Sequence, residues 1–439
     1  MTTRTHIVLV PGFGGFDALG QLRYYAGVTP RFHAWRASRG GAAARAALHY
    51  FDNLPTAPVA TRGRRLREYL AKRVARGEIQ PGDGLALVGH STGGLDVRWL
   101  LGDLYGADGA RASRVDGGAD VPTAAMRALG PRAVFLSVPQ RGTNLAQWVR
   151  AHAALREGGP WLLDQAIERY RLDPVRWLER SSVGFLADHS DEDLLLAVKD
   201  ALAESDDDLA RAPAAGRSPA DVAFAVAAAR EAYADLALWL RHVDDDTGAL
   251  DDLLPVAPDH PPLAAERARL RAEGVRTRSY ATVAPSPFAP GRVDDGRPWS
   301  PLDPRGWAEV LRATPGRPSD LAYRRCYRAC AGGGFAVDEA AREATPLGGG
   351  APRRVEAWES DGIVNTASML WPDGADTVLV EADHGDVIGH HGRVQAPAEA
   401  RRRSARAFEA YDLLDSGAGF DAARFGEVWD DVFDFCVAP

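Results

Sequence analysis

The stretch that decides the fold is Leu85-Ala86-Leu87-Val88-Gly89-His90-Ser91-Thr92-Gly93, an apolar run that leads into a Gly-x-Ser-x-Gly pattern. The apolar run predicts a buried strand, and the apolar periodicity from residue 95 to 104 predicts a helix. A serine between a strand and a helix sits on a very tight turn, for which flanking glycines leave room. The turn exposes the hydroxyl beside the helix N-terminus, where backbone N–H groups stabilise a negative oxygen.

The alternative to a catalytic serine is a structural turn, because Gly-x-Ser-x-Gly arises by chance in a chain with 45 glycines. Two features favour the catalytic interpretation. An apolar strand lies directly before the pattern, and an apolar-periodic helix lies directly after it. We therefore take Ser91 as the candidate nucleophile.

The composition is that of a globular protein, with 439 residues of which 46% are hydrophobic and 26% are charged. The net charge of −8 provides no basic surface, so a nucleic-acid partner is not expected. The Arg-rich stretch Arg62-Gly63-Arg64-Arg65 is predicted to be a solvated helix face. No apolar run is long enough to span a bilayer. The start of the chain has no signal peptide, which predicts a cytoplasmic protein, or a secreted one if a leader was removed.

The three cysteines are Cys326, Cys330 and Cys436. The first two are four residues apart and share a face if that stretch is helical. No second pair completes a metal site, so free thiols are the favoured interpretation, and a disulfide to Cys436 stays open.

Strand-like and helix-like segments alternate along the first 140 residues. Short apolar strands separated by helices predict an α/β fold, with a mostly parallel sheet covered by helices on both faces. The predicted strands are His6–Val10, Ala47–Phe51, Leu85–Val88, Ala133–Val138, Thr277–Val283, Arg354–Trp358 and Asp376–Glu381. The predicted helices include Thr61–Gly77 in the first part and one from about 397 to 414 near the end.

The strand signal disappears between about residues 145 and 270, where helical segments such as 191–204 and 218–242 dominate. An insertion of this kind is typical of a cap or lid over an apolar site. We therefore divide the chain into an N-terminal part of the core (1–144), a helical cap insertion (145–270) and a C-terminal part of the core (271–439).

A nucleophilic serine needs a histidine base and a carboxylate that orients it. His384 follows the strand Asp376–Glu381 after two residues, on a loop at a carboxyl strand end. Asp361 follows the segment Arg354–Trp358 and precedes a glycine turn. The order Ser91, Asp361, His384 is the order of nucleophile, acid and base expected in this kind of fold.

An oxyanion formed at Ser91 requires two N–H donors. One is predicted to be the backbone of Thr92, directly after the nucleophile, and the other to come from the glycine-rich loop Pro11–Asp17 after the first strand. A phosphate-binding loop is the rival interpretation of that segment. It lacks the G-x-G-x-x-G spacing and the lysine that such loops require.

Together these segments resemble the true lipases of bacterial family I, which have an α/β-hydrolase fold. Ser360–Met369 and Asp383–Gly389 are similar to the sequences at the catalytic aspartate and histidine of the thermostable branch. Pro11–Asp17 resembles the family's oxyanion segment, in which Phe13 matches the oxyanion residue, although Pro11 replaces a histidine. Val138–Thr143 resembles a further family motif, and the middle third is matched only loosely.

The resemblance also bears on metals. Family members often bind a structural calcium ion near the catalytic histidine, and Asp386 matches one ligand carboxylate. His391 stands where the second carboxylate is expected, and a histidine is a poor ligand for this hard cation. Calcium therefore stays an open prediction, and no cofactor is expected to be required. The branch's zinc site uses two histidines, and between His49 and His90 this chain has none, so zinc is not expected.

We expect a serine carboxylester hydrolase of the lipase or esterase type, acting on a small-molecule or lipid ester with an apolar acyl group. Phe16 and His90 are predicted to contact the substrate. Two alternatives stay open: other acyl chemistry on the same triad (polyester depolymerisation, lactone opening or acyl transfer), and a non-catalytic binding module. The sequence leaves the acyl chain length and the oligomeric state open.

Overall fold

The computed structural model describes residues 3–15, 18–19, 22–106, 121–151, 248–287, 318–332, 334–339, 342–372, 374–392, 412 and 414–438. The predicted helices 191–204 and 218–242 lie outside these residues. So do most of the predicted cap, nearly all of the predicted helix 397–414, and Phe16.

One large sheet forms the centre of the fold. The strands of the described residues are β1 (Thr5–Val10), β2 (Ala18–Leu19), β3 (Leu22–Arg23), β4 (Ala46–Tyr50), β5 (Gly84–His90), β6 (Arg132–Leu136), β7 (Thr277–Val283), β8 (Glu343–Pro346), β9 (Arg353–Arg354) and β10 (Thr377–Glu381). Eight of them form a sheet in the order β4-β1-β5-β6-β7-β10-β8-β9, while β2 and β3 form a separate pair. Neighbours in the sheet are parallel except for β8 and β9.

Helices cover both faces of this sheet. They are α1 (Val28–Arg39), α2 (Gly41–Ala44), α3 (Val59–Ala75), α4 (Thr92–Tyr105), α5 (Thr123–Arg127), α6 (Asn144–Ala151), α7 (Ala249–Asp252), α8 (Pro261–Ala272), α9 (Pro318–Ala331) and α10 (Ala422–Val437). Successive side chains of a strand point to opposite faces. Accordingly Val8 and Val10 pack in one core cluster with residues of α3, α4 and α8, while Ile7 and Leu9 pack in another with residues of α1 and α10.

Six of the seven predicted strands are confirmed, with ends that shift by one or two residues. The prediction of a strand at Arg354–Trp358 is wrong, because β9 ends at Arg354. The chain turns there: the Glu359 carboxylate accepts a hydrogen bond from the Glu356 N–H at 2.8 Å and pairs with the Arg353 guanidinium at 2.7 Å. Strand β8, which the sequence did not predict, fills the place between β9 and β10.

Helix α10 was not predicted, although it covers much of one sheet face. It begins at Asp421, whose carboxylate accepts hydrogen bonds from the N–H groups of the first turn. Its apolar face is fully buried against α1, with the rings of Phe433 and Trp35 5.1 Å apart. The indole of Trp429 donates to the Val387 carbonyl at 2.8 Å, so α10 also braces the chain just after His384.

The mostly parallel sheet with helices on both faces is the predicted α/β-hydrolase fold. The described residues 248–270 of the predicted cap pack on the core, with Leu253, Leu263 and Leu270 in the same cluster as α3 and α4. All three cysteines are buried thiols outside disulfides, as favoured from the sequence. Among the described residues, no helix has the length and apolar character needed to cross a membrane.

Candidate active site

Ser91 occupies the sharp turn predicted from the sequence. β5 ends at His90 and α4 begins at Thr92, so one residue connects strand and helix. Its φ of 53° is in the left-handed region, which non-glycine residues rarely adopt. The flanking glycines are required by space: a Cβ at Gly93 would lie 2.5 Å from the Pro11 carbonyl oxygen, and one at Gly89 the same distance from a backbone carbon of α4. The turn therefore holds the serine in a strained conformation.

The structure brings the predicted acid and base into direct contact. His384 Nδ1 lies 2.7 Å from Asp361 Oδ2. Asp361 is fully buried, and its other oxygen, Oδ1, accepts the N–H groups of Ile363 at 2.9 Å and Val364 at 2.8 Å. The Thr282 hydroxyl lies 2.7 Å from Oδ2. Four donors therefore surround a fully buried carboxylate, which fixes its orientation toward the imidazole.

The acid and base lie beside the nucleophile turn. The rings of His90 and His384 have centroids 4.6 Å apart, and His90 Nε2 lies 3.0 Å from the His384 carbonyl oxygen. Among the hydrogen bonds of the described residues, none joins Ser91 to His384. Catalytic hydrogen bonds are often long before substrate binds. In the structure, Asp361 and His384 are hydrogen-bonded to each other and lie beside the Ser91 turn. Among the described residues, the hydrogen bond from His384 to Ser91 is not formed.

A buried hydrogen-bond chain joins the base, His384, to the predicted oxyanion loop, which begins at Pro11. Burial lowers the pKa of His90 well below its ordinary value and raises that of Tyr24, so both are neutral. The Tyr24 hydroxyl lies 2.7 Å from His90 Nδ1 and donates to it, since His90 Nε2–H is needed as the donor to the His384 carbonyl. The Gly12 N–H also bonds to the Tyr24 oxygen. Both His90 nitrogens are thus engaged, and its predicted contact with substrate stays a prediction.

The oxyanion loop lies directly against the nucleophile. A Cβ at Gly12 would be 2.6 Å from the Ser91 Cβ, and Phe13 follows, half-buried against the core. The loop is closed by its own hydrogen bond from the Gly15 N–H to the Gly12 carbonyl at 3.0 Å. Thr92 is buried at the first position of α4. Of the two residues predicted to supply oxyanion donors, Thr92 directly follows Ser91, and Phe13 directly follows Gly12, which lies against Ser91.

A buried ion pair between Arg62 and Asp96 supports this loop. The Arg62 guanidinium donates to the carbonyls of Pro11 at 3.1 Å and Gly12 at 3.2 Å, and to Asp96 at 2.9 Å. Arg62 and Asp96 are both fully buried, and burial raises the pKa of Asp96 to about 6 despite the arginine. The prediction that Arg62 is solvated is wrong. The burial of Arg62 could have been predicted from the sequence. Arg62 precedes Leu66, Leu70 and Val74 at spacings of four, on the buried face of α3.

The loop after His384 is held by two further carboxylates. Asp386 accepts the Asp383 N–H at 2.8 Å, while Asp383 accepts the Gly385 N–H at 2.9 Å and the Ser416 hydroxyl at 2.7 Å. Burial raises the pKa of Asp383 well above its ordinary value and that of Asp386 to about 8. These bonds fix the backbone on both sides of the base.

The same carboxylates are the place to test the calcium prediction. Two buried carboxylates are suitable donors for a hard cation, but Ca²⁺ requires six to eight oxygens. Within the described part of the chain, no group of three or more His, Cys, Asp or Glu side chains is arranged to hold a metal ion. His391, at the position of the second family ligand, packs against the rings of Phe420 and Phe425. Calcium at Asp386 thus remains a prediction.

The chain therefore has an α/β-hydrolase fold, with Ser91, Asp361 and His384 on the predicted loops. No protein-family model matches the sequence, and no curated protein matches it. Among solved structures, the chain is similar to a Staphylococcus hyicus lipase (13% identity, 99% of this chain and 96% of that one, TM-score 0.38). It is also similar to lipase 1 from Pelosinus fermentans (15% identity, 88% and 94%, TM-score 0.38). EstA from Clostridium botulinum is a third (14% identity, 97% and 88%, TM-score 0.39). At these identities and TM-scores the similarities carry no argument about function, so the site geometry has to supply it.

Proposed function

We propose that this protein is a serine carboxylester hydrolase of the lipase or esterase type. The observation that carries the proposal is the 2.7 Å contact between His384 Nδ1 and Asp361 Oδ2, beside a serine on a strained turn. A carboxylate bound at Nδ1 selects the tautomer in which Nε2 is free to accept a proton. This is the arrangement that a serine needs to become a nucleophile.

In the proposed reaction, Ser91 Oγ attacks the ester carbonyl carbon while His384 Nε2 takes the hydroxyl proton. The backbone N–H groups of Phe13 and Thr92 stabilise the resulting oxyanion, and loss of one such donor costs about 100- to 1,000-fold in kcat. The intermediate collapses, and the leaving alcohol takes the proton from His384. Water, deprotonated by His384, then attacks the acyl-enzyme. The second intermediate collapses as its bond to Ser91 Oγ breaks, His384 returns the proton to Ser91 Oγ, and the acid is released. Asp361 Oδ2 holds the imidazole at Nδ1 and stabilises the imidazolium that forms.

The substrate is proposed to be a small-molecule or lipid ester with an apolar acyl group. This part rests on the resemblance to family I lipases and on the apolar helical segments of residues 145–270, which we propose as a cap over the site. Phe16 and His90 are proposed to contact the substrate. The steps above use only side chains, backbone and water; calcium at Asp386, if bound, would hold the His384 loop.

The test is hydrolysis of p-nitrophenyl esters from acetate to palmitate, in soluble and emulsified form, with and without a chelator. We expect turnover by the wild type, with a loss of about 1,000-fold or more in Ser91→Ala. Ser38→Ala, which removes a hydroxyl on α1, is the control and is expected to keep full activity. Ester hydrolysis retained by Ser91→Ala would overturn the mechanism. Turnover of lactones or polyesters in place of these esters would instead support the other acyl chemistries.

A further inference from the structure

We infer that Ser137 and Thr282 are positioning residues for the catalytic acid, joined to Asp361 by a chain of buried hydrogen bonds. The inference rests on the proposed function, because it concerns how Asp361 is held for His384. Neither residue stood out in the sequence, since an isolated serine and an isolated threonine at strand ends carry no motif.

This hydrogen-bond chain consists of three buried side chains, each within hydrogen-bond distance of the next. Ser137 Oγ lies 2.8 Å from Thr282 Oγ1, which lies 2.7 Å from Asp361 Oδ2. Ser137, Thr282 and Asp361 are each fully buried. A hydroxyl has one proton, and an ionised carboxylate is an acceptor only. The Thr282 hydroxyl is placed as the donor to both Asp361 Oδ2 and Ser137 Oγ, and its one proton goes to the charged acceptor, Asp361. Ser137 Oγ, 2.8 Å from the Thr282 oxygen, contacts this hydroxyl and limits its movement.

Thr282 donates to the same oxygen of Asp361, Oδ2, that contacts the base His384. Asp361 Oδ2 accepts both the Thr282 hydroxyl and the His384 Nδ1–H, each at 2.7 Å. The two backbone N–H donors at Oδ1 hold the other side of the carboxylate. Without the threonine hydroxyl, Oδ2 keeps only the imidazole among the donors described here, and the full burial of Asp361 leaves it no exposed surface for a replacement bond. The carboxylate is then free to rotate away from the geometry that fixes the histidine tautomer.

The threonine itself is held on several sides. Its backbone carbonyl accepts the Thr366 hydroxyl at 2.8 Å, and its N–H points to the Met369 sulfur at 3.2 Å. Thr366 and Met369 belong to the segment that follows Asp361. The end of β7 and the acid loop are thus tied together, so that the Thr282 hydroxyl has a fixed position relative to Asp361.

Ser137, at the end of the hydrogen-bond chain away from Asp361, has a strained backbone conformation. Among the described residues, the non-glycine positions with positive φ are Ser91 at 53° and Ser137 at 51°. One is the nucleophile, and the other lies directly after β6, where its N–H donates to the Tyr280 carbonyl at 3.0 Å. Strain of this kind persists only where surrounding structure over-determines it, and it concentrates at functional sites. A glycine would adopt this conformation more easily, but it would lack the hydroxyl that contacts Thr282.

The first test compares Thr282→Val, which removes the hydroxyl at equal volume, with Thr282→Ser, which keeps it. We expect kcat on the preferred ester to fall about tenfold or more in Thr282→Val, with KM changed less than about twofold. Thr282→Ser is expected to recover most of the loss. The matched control is Ser279→Ala in the same strand, whose buried hydroxyl donates to the Trp371 carbonyl and does not contact Asp361. It is expected to lose stability while keeping kcat.

The second test is Ser137→Gly, which separates positioning from stability. Relief of the left-handed strain is expected to leave Tm unchanged or raised, while loss of the hydroxyl lowers kcat about two- to fivefold. An independent readout is the downfield proton NMR signal of His384 Nδ1–H, expected to move in Thr282→Val and to stay in Ser279→Ala. If the wild type is active and neither Thr282→Val nor Ser137→Gly changes kcat or this signal, the inference is overturned while the proposed function stands. If the wild type hydrolyses no ester and Ser91 resists an active-site probe, both fall together.

Discussion

The two halves of the candidate site are held by different physical means. Around Ser91, the chain is fixed by close packing of glycine backbone and by a buried ion pair behind the oxyanion loop. Around His384, it is fixed by carboxylates that accept backbone and hydroxyl hydrogen bonds: Asp361, Asp383 and Asp386. The nucleophile half should therefore be intolerant of added volume or unpaired charge, and the acid–base half should be sensitive to lost donors and to pH.

The largest effect is expected from breaking the ion pair of the nucleophile half. Arg62→Met leaves Asp96 buried without its cation, and we expect a loss of about 3–5 kcal/mol in the free energy of unfolding, measured by urea denaturation. Arg64→Met, an exposed neighbour on α3, is the control and should change stability by less than about 0.5 kcal/mol.

A double variant separates the charge from the loop contacts. Arg62→Met with Asp96→Leu removes both charges, so stability is expected to recover largely. The bonds to Pro11 and Gly12 stay lost, so kcat is expected to remain below that of the wild type. Full activity in the double variant would contradict the role assigned to Arg62 in holding the oxyanion loop.

The next effect tests packing at the turn. Gly93→Ala places a methyl group against the Val10 and Pro11 carbonyls, and we expect a loss of about 3 kcal/mol together with nearly all activity. Gly102→Ala on the same helix has open space, its nearest neighbour being a Glu266 oxygen at 3.7 Å. It should be neutral or stabilising by up to about 1 kcal/mol. Equal unfolding curves for the two variants would show that packing does not hold the turn.

The hydrogen-bond chain between the two halves is predicted to have a smaller effect. Tyr24→Phe leaves the buried His90 Nδ1 without a donor, at a cost of about 1–3 kcal/mol in stability. Because His90 also bonds the His384 carbonyl, we expect kcat to fall as well. Thermal unfolding and ester hydrolysis of the same preparation check both effects. A variant with unchanged stability and rate would mean that the two halves are held independently.

The smallest effect concerns pH and the acid–base half. Burial raises the pKa of Asp386 from 3.8 to about 8, so in this range the folded state keeps a proton that the unfolded chain has released. The contribution of this group to stability is thus highest at the acid end and is lost as pH rises toward 8. Asp386→Asn should flatten this slope in urea unfolding at several pH values. Millimolar calcium should raise stability at pH 8 in the wild type only; no calcium effect would contradict the calcium prediction.

The sequence predicted the sheet well where apolar runs are long. His6–Val10 and Thr277–Val283 became β1 and β7, because a buried strand needs such runs whatever its neighbours. β8 was missed because Glu343-Ala344-Thr345-Pro346 has no strand pattern of its own and is a strand only through pairing with β10 and β9. Helix α10 was missed although Asp421 and the apolar spacing of Phe425, Trp429 and Val432 mark it clearly.

Only the site residues that lie in a sequence motif or just after a strand-like segment could be predicted. The spacing of Asp361 and His384 after strand-like segments led to the acid–base contact, which the structure contains. The supporting residues could not be found in this way. Thr282 and Ser137 meet Asp361 only through the arrangement of β6 and β7, and Asp96 meets Arg62 only through the packing of α3 on α4. Single polar residues from distant parts of a chain leave no local pattern.

The most direct test of the central claim is the rate at which a fluorophosphonate probe modifies Ser91, followed by mass spectrometry in wild type, His384→Ala and Asp361→Asn. The account predicts modification of the wild type at Ser91 alone, and rates at least about 100-fold lower in both variants, because the base no longer activates the serine. Labelling at another residue, or equal rates in the wild type and His384→Ala, would contradict it.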